Sequence, residues 1–335
     1  MKPANAPLVY LPRSRQPVRR HHRRGRGSSV DEQQEQREYI EVRPYTGEEI
    51  YLPIWEEKSV PLEVQLGCGW HQCKFCDFAN DPRHVFSLAE VEAKASMIAP
   101  YMKDRPRVFL LGENALMLPM EHLRGIMDII GAYFPRAFQV ASYARFDDIM
   151  RKTDDELEEL ADLGLCEVHI GLESGCQDVL DFMNKGIDLN DALRVCERLH
   201  DIGIDFSFTM IAGLGGTKLW ERHALASARF LNASQPKRVW LTGLLLWPDT
   251  PLFHIAEEGG FEQLTFRERL REVREMVAAL ELDDCMFVDS TVLGDYTVHG
   301  HLPDQKADML KAMDHLLVAE GTYDVVPPIP TKSHR

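Results

Sequence analysis

The sequence predicts an α/β fold built on a parallel sheet, and three observations lead to it. After residue 60, short apolar runs alternate with longer stretches of helical periodicity, helical stretches open on capping signals, and no Gly/Ser-rich linker or internal repeat breaks the rhythm. Six βα units in order, each with a right-handed crossover, can curl into an open barrel or lie as a doubly wound sheet. In both arrangements ligands gather at the C-terminal ends of the strands, so the residues just after each strand are where chemistry is expected.

The predicted strands are LEVQLG (62–67), RVFLLG (107–112), FQVASYA (138–144), EVHIGLES (167–174), DFSFTMIAG (205–213) and RVWLTGLLL (238–246). Between them, Ser87 with Glu90 and Thr153 with Glu156 fit the capping box, and Asn190 is placed to cap DALRVCERLHDIG. Four stretches follow: a basic arm (1–38), a lead-in segment (39–60), the βα core (61–281) and a C-terminal extension (282–335). The extension has a helix near 303–319 and a loose proline-rich end, VVPPIPTKSHR.

The chain has 335 residues and is 44% hydrophobic, enough for a substantial core. No apolar run of about eighteen residues and no apolar N-terminal leader are present, so a cytoplasmic protein is expected, without membrane insertion or export. Residues 1–30 carry eight Lys or Arg and no acid, leaving 30 basic against 53 acidic residues in the rest. So acidic a body argues against a nucleic-acid enzyme. The arm RSRQPVRRHHRRGRGSS reads as a solvated tail, or as a contact for an acidic partner or a phosphate backbone.

Seven cysteines make an odd set, and Cys166, Cys176, Cys196 and Cys285 fall in apolar patterns where buried small residues fit, so a disulfide scaffold is not expected. Three others crowd together in GCGWHQCKFCDF, on a loop at the sheet's ligand-binding edge. Zinc would need His71 as fourth ligand, and one residue between His71 and Cys73 demands a tight fold to place all four donors tetrahedrally. A redox dithiol would use Cys73 and Cys76 and leave Cys68 idle. Three thiolates on one loop suit a cubane cluster whose fourth iron stays open to an exogenous ligand.

GCGWHQCKFCDF resembles the cluster motif of the radical S-adenosylmethionine superfamily, in the branch with four residues between the first two cysteines, here Cys68 and Cys73. The resemblance runs over roughly residues 60–320 and implies a partial open (β/α)6 TIM-type barrel with a C-terminal extension. It implies a [4Fe-4S] cluster on Cys68, Cys73 and Cys76, and S-adenosylmethionine across the strand ends. LLGEN looks like the family's Gly-Gly-Glu element, with Leu111 at the first glycine and Gly112 and Glu113 in the matching places; Glu113 would meet the cofactor's ammonium, and otherwise reads as a helix-start acid. SYAR offers Ser142, and Arg145 for the cofactor carboxylate, Arg145 otherwise being a surface residue. GLESG is similar to the ribose-binding segment, with Glu173 and Ser174; the alternative for Glu173 is a salt bridge to Lys185. MIAGLGG looks like the adenine-binding strand, using backbone groups from Ile211 to Gly213, with Phe75 packed on the purine.

In LLLWPDTPL, Trp247, Asp249 and Thr250 face the remaining space and are candidate substrate contacts, Trp247 equally a plug at the barrel mouth. His299 and His301 in TVHGHLP, and Cys176 beside the ribose segment, receive no role. As the resemblance implies, the function is cleavage of S-adenosylmethionine to a 5'-deoxyadenosyl radical that takes hydrogen from a small-molecule or peptide substrate, with a flavodoxin- or ferredoxin-type electron donor. The alternative is a non-catalytic iron-sulfur, metal-binding or cofactor-trafficking protein on the same fold.

Overall fold

The computed structural model describes residues 43–46, 50–80, 82–291, 297–319 and 324–330; the basic arm lies outside them. The elements begin with β1 (Val60–Glu63), β2 (Gln65–Leu66), β3 (His84–Val85), α1 (Leu88–Met102), β4 (Arg107–Leu111), α2 (Met120–Tyr133) and β5 (Gln139–Ala144). There follow α3 (Phe146–Met150), α4 (Asp154–Asp162), β6 (Leu165–Glu173), α5 (Gln177–Phe182), α6 (Leu189–Ile202), β7 (Asp205–Ala212), α7 (Gly216–Ser234) and β8 (Arg238–Gly243). The chain closes with α8 (Pro251–Glu257), α9 (Phe266–Ala278), β9 (Cys285–Asp289), β10 (Val298–Leu302) and α10 (Lys306–Val318).

The main sheet has the order β1-β4-β5-β6-β7-β8-β9-β10, parallel throughout except for the antiparallel β9–β10 pair. Each parallel crossover advances the sheet in the same direction, and right-handed crossovers that never reverse place their helices on one face. The sheet is therefore wound as a partial barrel and not doubly wound. Val108, Leu110, Val140, Val168, Ile170, Phe206, Phe208, Val239 and Leu241 form the outward row and join the apolar faces of α1, α2, α4, α6, α7 and α9 in one core. Among the described residues no helix is long and apolar enough to cross a membrane.

In the main sheet, two strands among the described residues exceed the six read from sequence: β9 and β10 lie in the C-terminal extension and lengthen the sheet beyond β8. The run 62–67 is not one strand either. Its first residues finish β1, then Val64 donates to Leu111 O (3.0 Å) and the chain leaves the main sheet to pair β2 with β3. Ser87/Glu90 and Thr153/Glu156 form the predicted capping boxes, each worth about 1 kcal/mol. The α6 cap is Asp188, not Asn190, because the Asp188 carboxylate accepts from the Asn190 and Asp191 N–H groups. Part of the proline-rich end is docked: Val325 O accepts from Phe266 N, and Asp324 pairs with Arg267.

Among the described residues no helix layer covers the sheet's inner face; described residues of the lead-in segment pack there instead. Ile50 and Leu52 pack on Phe109, Leu111 and Ala141, and Trp55 packs against His169 and Trp240. Lead-in residues also hold the β1 edge, where Thr46 donates to Glu63, itself in a buried pair with Lys94 (2.7 Å).

Candidate functional site

The three clustered cysteines stand on the loop after β2, reached through a left-handed Gly67 (φ 71°). Cys73 is buried and Cys68 and Cys76 are half-buried. Helix ends grip this loop. A short helix leaves its last carbonyls without intrahelical donors, and those at the end of α5 are met by the cysteine loop: Lys74 Nζ donates to Phe182 O (2.6 Å), Lys74 N to Met183 O (2.9 Å) and Trp70 Nε1 to Asn184 O (2.8 Å). Asn184 Nδ2 returns a bond to Gln72 O (3.1 Å). From the start of α8, Leu252 N donates to Lys74 O (2.9 Å).

A buried amide ties the loop to the strand ends. Asn114 Oδ1 accepts from Gly69 N and Gln65 Nε2, both at 3.1 Å, while its Nδ2 donates to the Asp148 carboxylate. Burial pushes Asp148 up to about 6, against the opposing Arg145 N–H and Asn114 amide bonds. Asp148 in turn accepts from Arg145 N (2.9 Å), so one chain of hydrogen bonds runs from the first cysteine's neighbour to the end of β5.

Two cations lie behind Cys73. Burial pushes its thiol up, opposed by the fields of Lys185 and Arg145. Arg145 is buried, its guanidinium bonded to Asp147 (2.8 Å) and Lys185 O (3.0 Å) and lying 5.1 Å over the Trp70 ring. Lys185 pairs with Glu173 (3.0 Å), the partner that the sequence offered as the alternative to ribose. Glu173 holds a left-handed φ of 65° where the β6–β7 register shifts, which turns its carboxylate across the strand end.

The other expected site residues distribute as follows. Gly112 (φ 149°) passes so close to Gln65 that a Cβ would meet its backbone and side chain, and half-buried Glu113 follows it at the end of β4. Ser142 is fully buried and donates to Tyr143 O; Ser174 accepts from Cys176 N. Phe75, Cys73, Cys176 and Leu214 share one apolar cluster, on which Trp70, Cys76 and Ile211 pack, so the cysteine loop meets the end of β7. Gly213 donates its N–H to Glu272 (2.6 Å). Thr250 caps α8 and donates to Trp247 O, so its hydroxyl serves the turn. Trp247 is half-buried and Asp249 exposed. His301 pairs with Asp284 on β10's surface, and His299 is exposed.

Sequence reading missed Asn114, Trp70, Asp148 and the 182–185 turn. Their signals were present as GEN, CGW, RFDD and MNKG, but single polar or aromatic residues next to a motif do not reveal what they brace. A second cluster, Glu56, Glu167 and His169, brings ligand-type atoms within 4.8 Å of one another at the other end of the strands. It is already neutralised: Arg107 reaches Glu56 (2.6 Å) and Glu167 (2.7 Å), Arg238 pairs with Glu167, and His169 takes Trp55 Nε1 on one nitrogen and Glu56 on the other.

A family model described as the radical SAM superfamily matches residues 62–228. An uncharacterised protein of Methanocaldococcus jannaschii is 23% identical over 218 residues, covering 62% of this chain and 66% of the relative. The heme chaperone HemW of Bacillus subtilis is 21% identical over 215 residues, covering 62% of this chain and 56% of the relative. The chain thus matches less than two thirds of either relative's length. The structure of the archaeal Methanocaldococcus infernus Elp3, lacking its N-terminus, is similar in fold: TM-score 0.50, 15% identity, 77% of this chain and 63% of that one. Members of the matched family bind a [4Fe-4S] cluster and S-adenosylmethionine. With a sheet wound as a partial barrel and the family model running from β1 into α7, this chain belongs to the radical SAM superfamily.

Proposed function

We propose that this chain is a radical S-adenosylmethionine enzyme in which Cys68, Cys73 and Cys76 hold a [4Fe-4S] cluster and the ends of β4 to β7 hold the cofactor. The observation that carries this reading is the loop itself: three cysteines within nine positions gripped by two helix ends, with the fields of Lys185 and Arg145 opposing the burial that raises the Cys73 thiol. That donor set fits an iron-sulfur cluster, whose ligands are thiolates. Cys68, Cys73 and Cys76 would hold the cluster, which would supply the electron for reductive cleavage of S-adenosylmethionine to a 5'-deoxyadenosyl radical able to take hydrogen from a small-molecule or peptide substrate.

The chain's own residues bind and shield. Arg145 and Lys185 offer positive charge to the cofactor carboxylate, Glu113 receives its ammonium, and Glu173 accepts from ribose hydroxyls. Phe75 and Ile211 supply an apolar wall that excludes water from the purine side. The lead-in segment fills the inner face below the strand ends, which directs substrate to the upper edge near Trp247. A flavodoxin- or ferredoxin-type protein delivers the electron, and the basic arm recruits an acidic partner.

The test is anaerobic reconstitution with iron and sulfide, dithionite reduction with S-adenosylmethionine, and chromatography for 5'-deoxyadenosine beside a Cys73→Ala control. Product that depends on Cys73 supports the enzyme. A fully loaded, reducible cluster without product favours the second reading, cofactor trafficking, which has support in the relative named as a heme chaperone. Removing residues 1–30 without changing turnover or complex formation would rule out the role given to the arm.

A further inference from the structure

Helix α9 (FRERLREVREMVA) is rich in charge, and two of its charged residues are buried under the sheet's C-terminal edge, Arg269 at 2% exposure and Glu272 at 0%. Three residues apart, they share one helical face. Glu272 Oε2 accepts the Gly213 N–H at 2.6 Å, and its Oε1 lies 2.9 Å from Nδ1 of buried His223 on α7. Arg269 Nη2 donates to Leu244 O at 2.9 Å. Leu244 N in turn donates to Ala212 O at 3.0 Å.

These bonds form a brace. The peptide between Ala212 and Gly213 is fixed at its carbonyl by Leu244 and at its N–H by Glu272, and the Leu244 carbonyl is fixed by Arg269. Gly213 is the point where β7 turns, at φ 84°, and a Cβ there would meet Arg269 Nε at 3.1 Å, so glycine is needed both for conformation and for the guanidinium. Burying two charges is costly, and here each serves a backbone group at the end of β7 or β8. Ile211, which packs on the Phe75 cluster, lies one residue before the braced peptide.

We propose that Arg269 and Glu272 are positioning residues for the purine side of the cofactor site, holding the ends of β7 and β8 so that Ile211 and its neighbours present a fixed backbone to the adenine. This rests on the reading that the β7 end receives the purine. The two residues touch no part of the cofactor; they act through the Gly213 and Leu244 peptides.

The experiment uses the full-length, anaerobically reconstituted protein with three probes: S-adenosylmethionine, 5'-deoxyadenosine, and methionine alone. Equilibrium binding is measured for the first two, and the change in the reduced cluster's electron paramagnetic resonance spectrum for the third. Glu272→Leu removes the acceptor for Gly213 N–H and is expected to weaken both adenosyl ligands by about ten-fold, with iron content and the methionine response unchanged. Glu272→Gln keeps an acceptor and should stay within about three-fold of the parent. Arg269→Lys keeps the charge but not the planar donor to Leu244 O. It should show the same selective loss, and it carries the test should Glu272→Leu fail to fold. Adenosyl affinities unchanged in both variants, or an equal loss of the methionine response, would overturn the inference. A parent protein with a full cluster that binds no S-adenosylmethionine would overturn the site reading, and this inference with it.

Discussion

Lys185 Nζ stands 3.0 Å from Glu173 Oε1 at the end of β6, with the two side chains 8% and 10% exposed. Burial alone would push the ammonium down, but the Glu173 and Cys73 charges more than offset it and hold it above the usual lysine range. Removing one partner of such a pair leaves a buried charge uncompensated. Glu173→Ala is therefore expected to cost about 3 to 5 kcal/mol in urea unfolding, and Glu173→Leu with Lys185→Met together less than the sum of the singles. Additive losses would show that the pair is not coupled.

Asn114 joins three segments through one amide, so Asn114→Ala leaves the Gly69 N–H and the Asp148 carboxylate short of a partner at once. The expected cost is about 2 to 4 kcal/mol. Iron bound per chain after reconstitution should fall with it, because the loop carrying Cys68 loses its tie to β4. Full iron loading in a destabilised variant would confine Asn114 to folding.

Gly186 has φ 70°, and a Cβ there would overlap the Trp70 indole. Gly186→Ala thus combines left-handed strain of at least about 1 kcal/mol with displacement of a ring that lies within the cysteine motif. A lower melting temperature and faster loss of iron to a chelator are expected. If the melting temperature falls while iron release keeps its rate, Trp70 does not support the cysteine loop.

Glu56 sets an acid limb on stability. Burial would raise its carboxyl, but His169 and Arg107 hold it down to about 2 from 4.5. A carboxyl depressed in the folded state stabilises above its unfolded value, and that contribution is lost as pH falls from about 4.5 to about 2; it is on the order of 3 kcal/mol. Asp289 works the other way, since burial raises it to about 6, so the fold is relieved as pH falls from 6 toward 4. Denaturation from pH 7 to 3 should show Glu56→Gln less stable at pH 7 but with a flatter acid limb. An unchanged limb would remove Glu56 from the acid response.

Much of this molecule was legible in one dimension because the relevant patterns are local. The period of the apolar runs marked most strands, the Ser87 and Thr153 boxes marked two helix starts, and three cysteines within nine positions marked the loop. What failed were features whose meaning depends on distant partners. Asn190 lost the cap to Asp188 because both are good caps in sequence and only the chain's turn chooses. β9 and β10 went uncounted because short runs in an extension look alike whether or not a sheet edge awaits them.

The sequence by itself determined the α/β class, the parallel character of the sheet and the crowding of three cysteines into one stretch, since periodicity and residue spacing act over a few residues. Tertiary structure alone decided that the strands wind in one direction, that the lead-in segment covers the inner face, and that Glu173 meets Lys185. It also decided that Arg269 and Glu272 lie buried at the ends of β7 and β8. Burial of a charge is favourable only where a specific backbone or ionic partner compensates its lost water, and no local pattern encodes where that partner will stand.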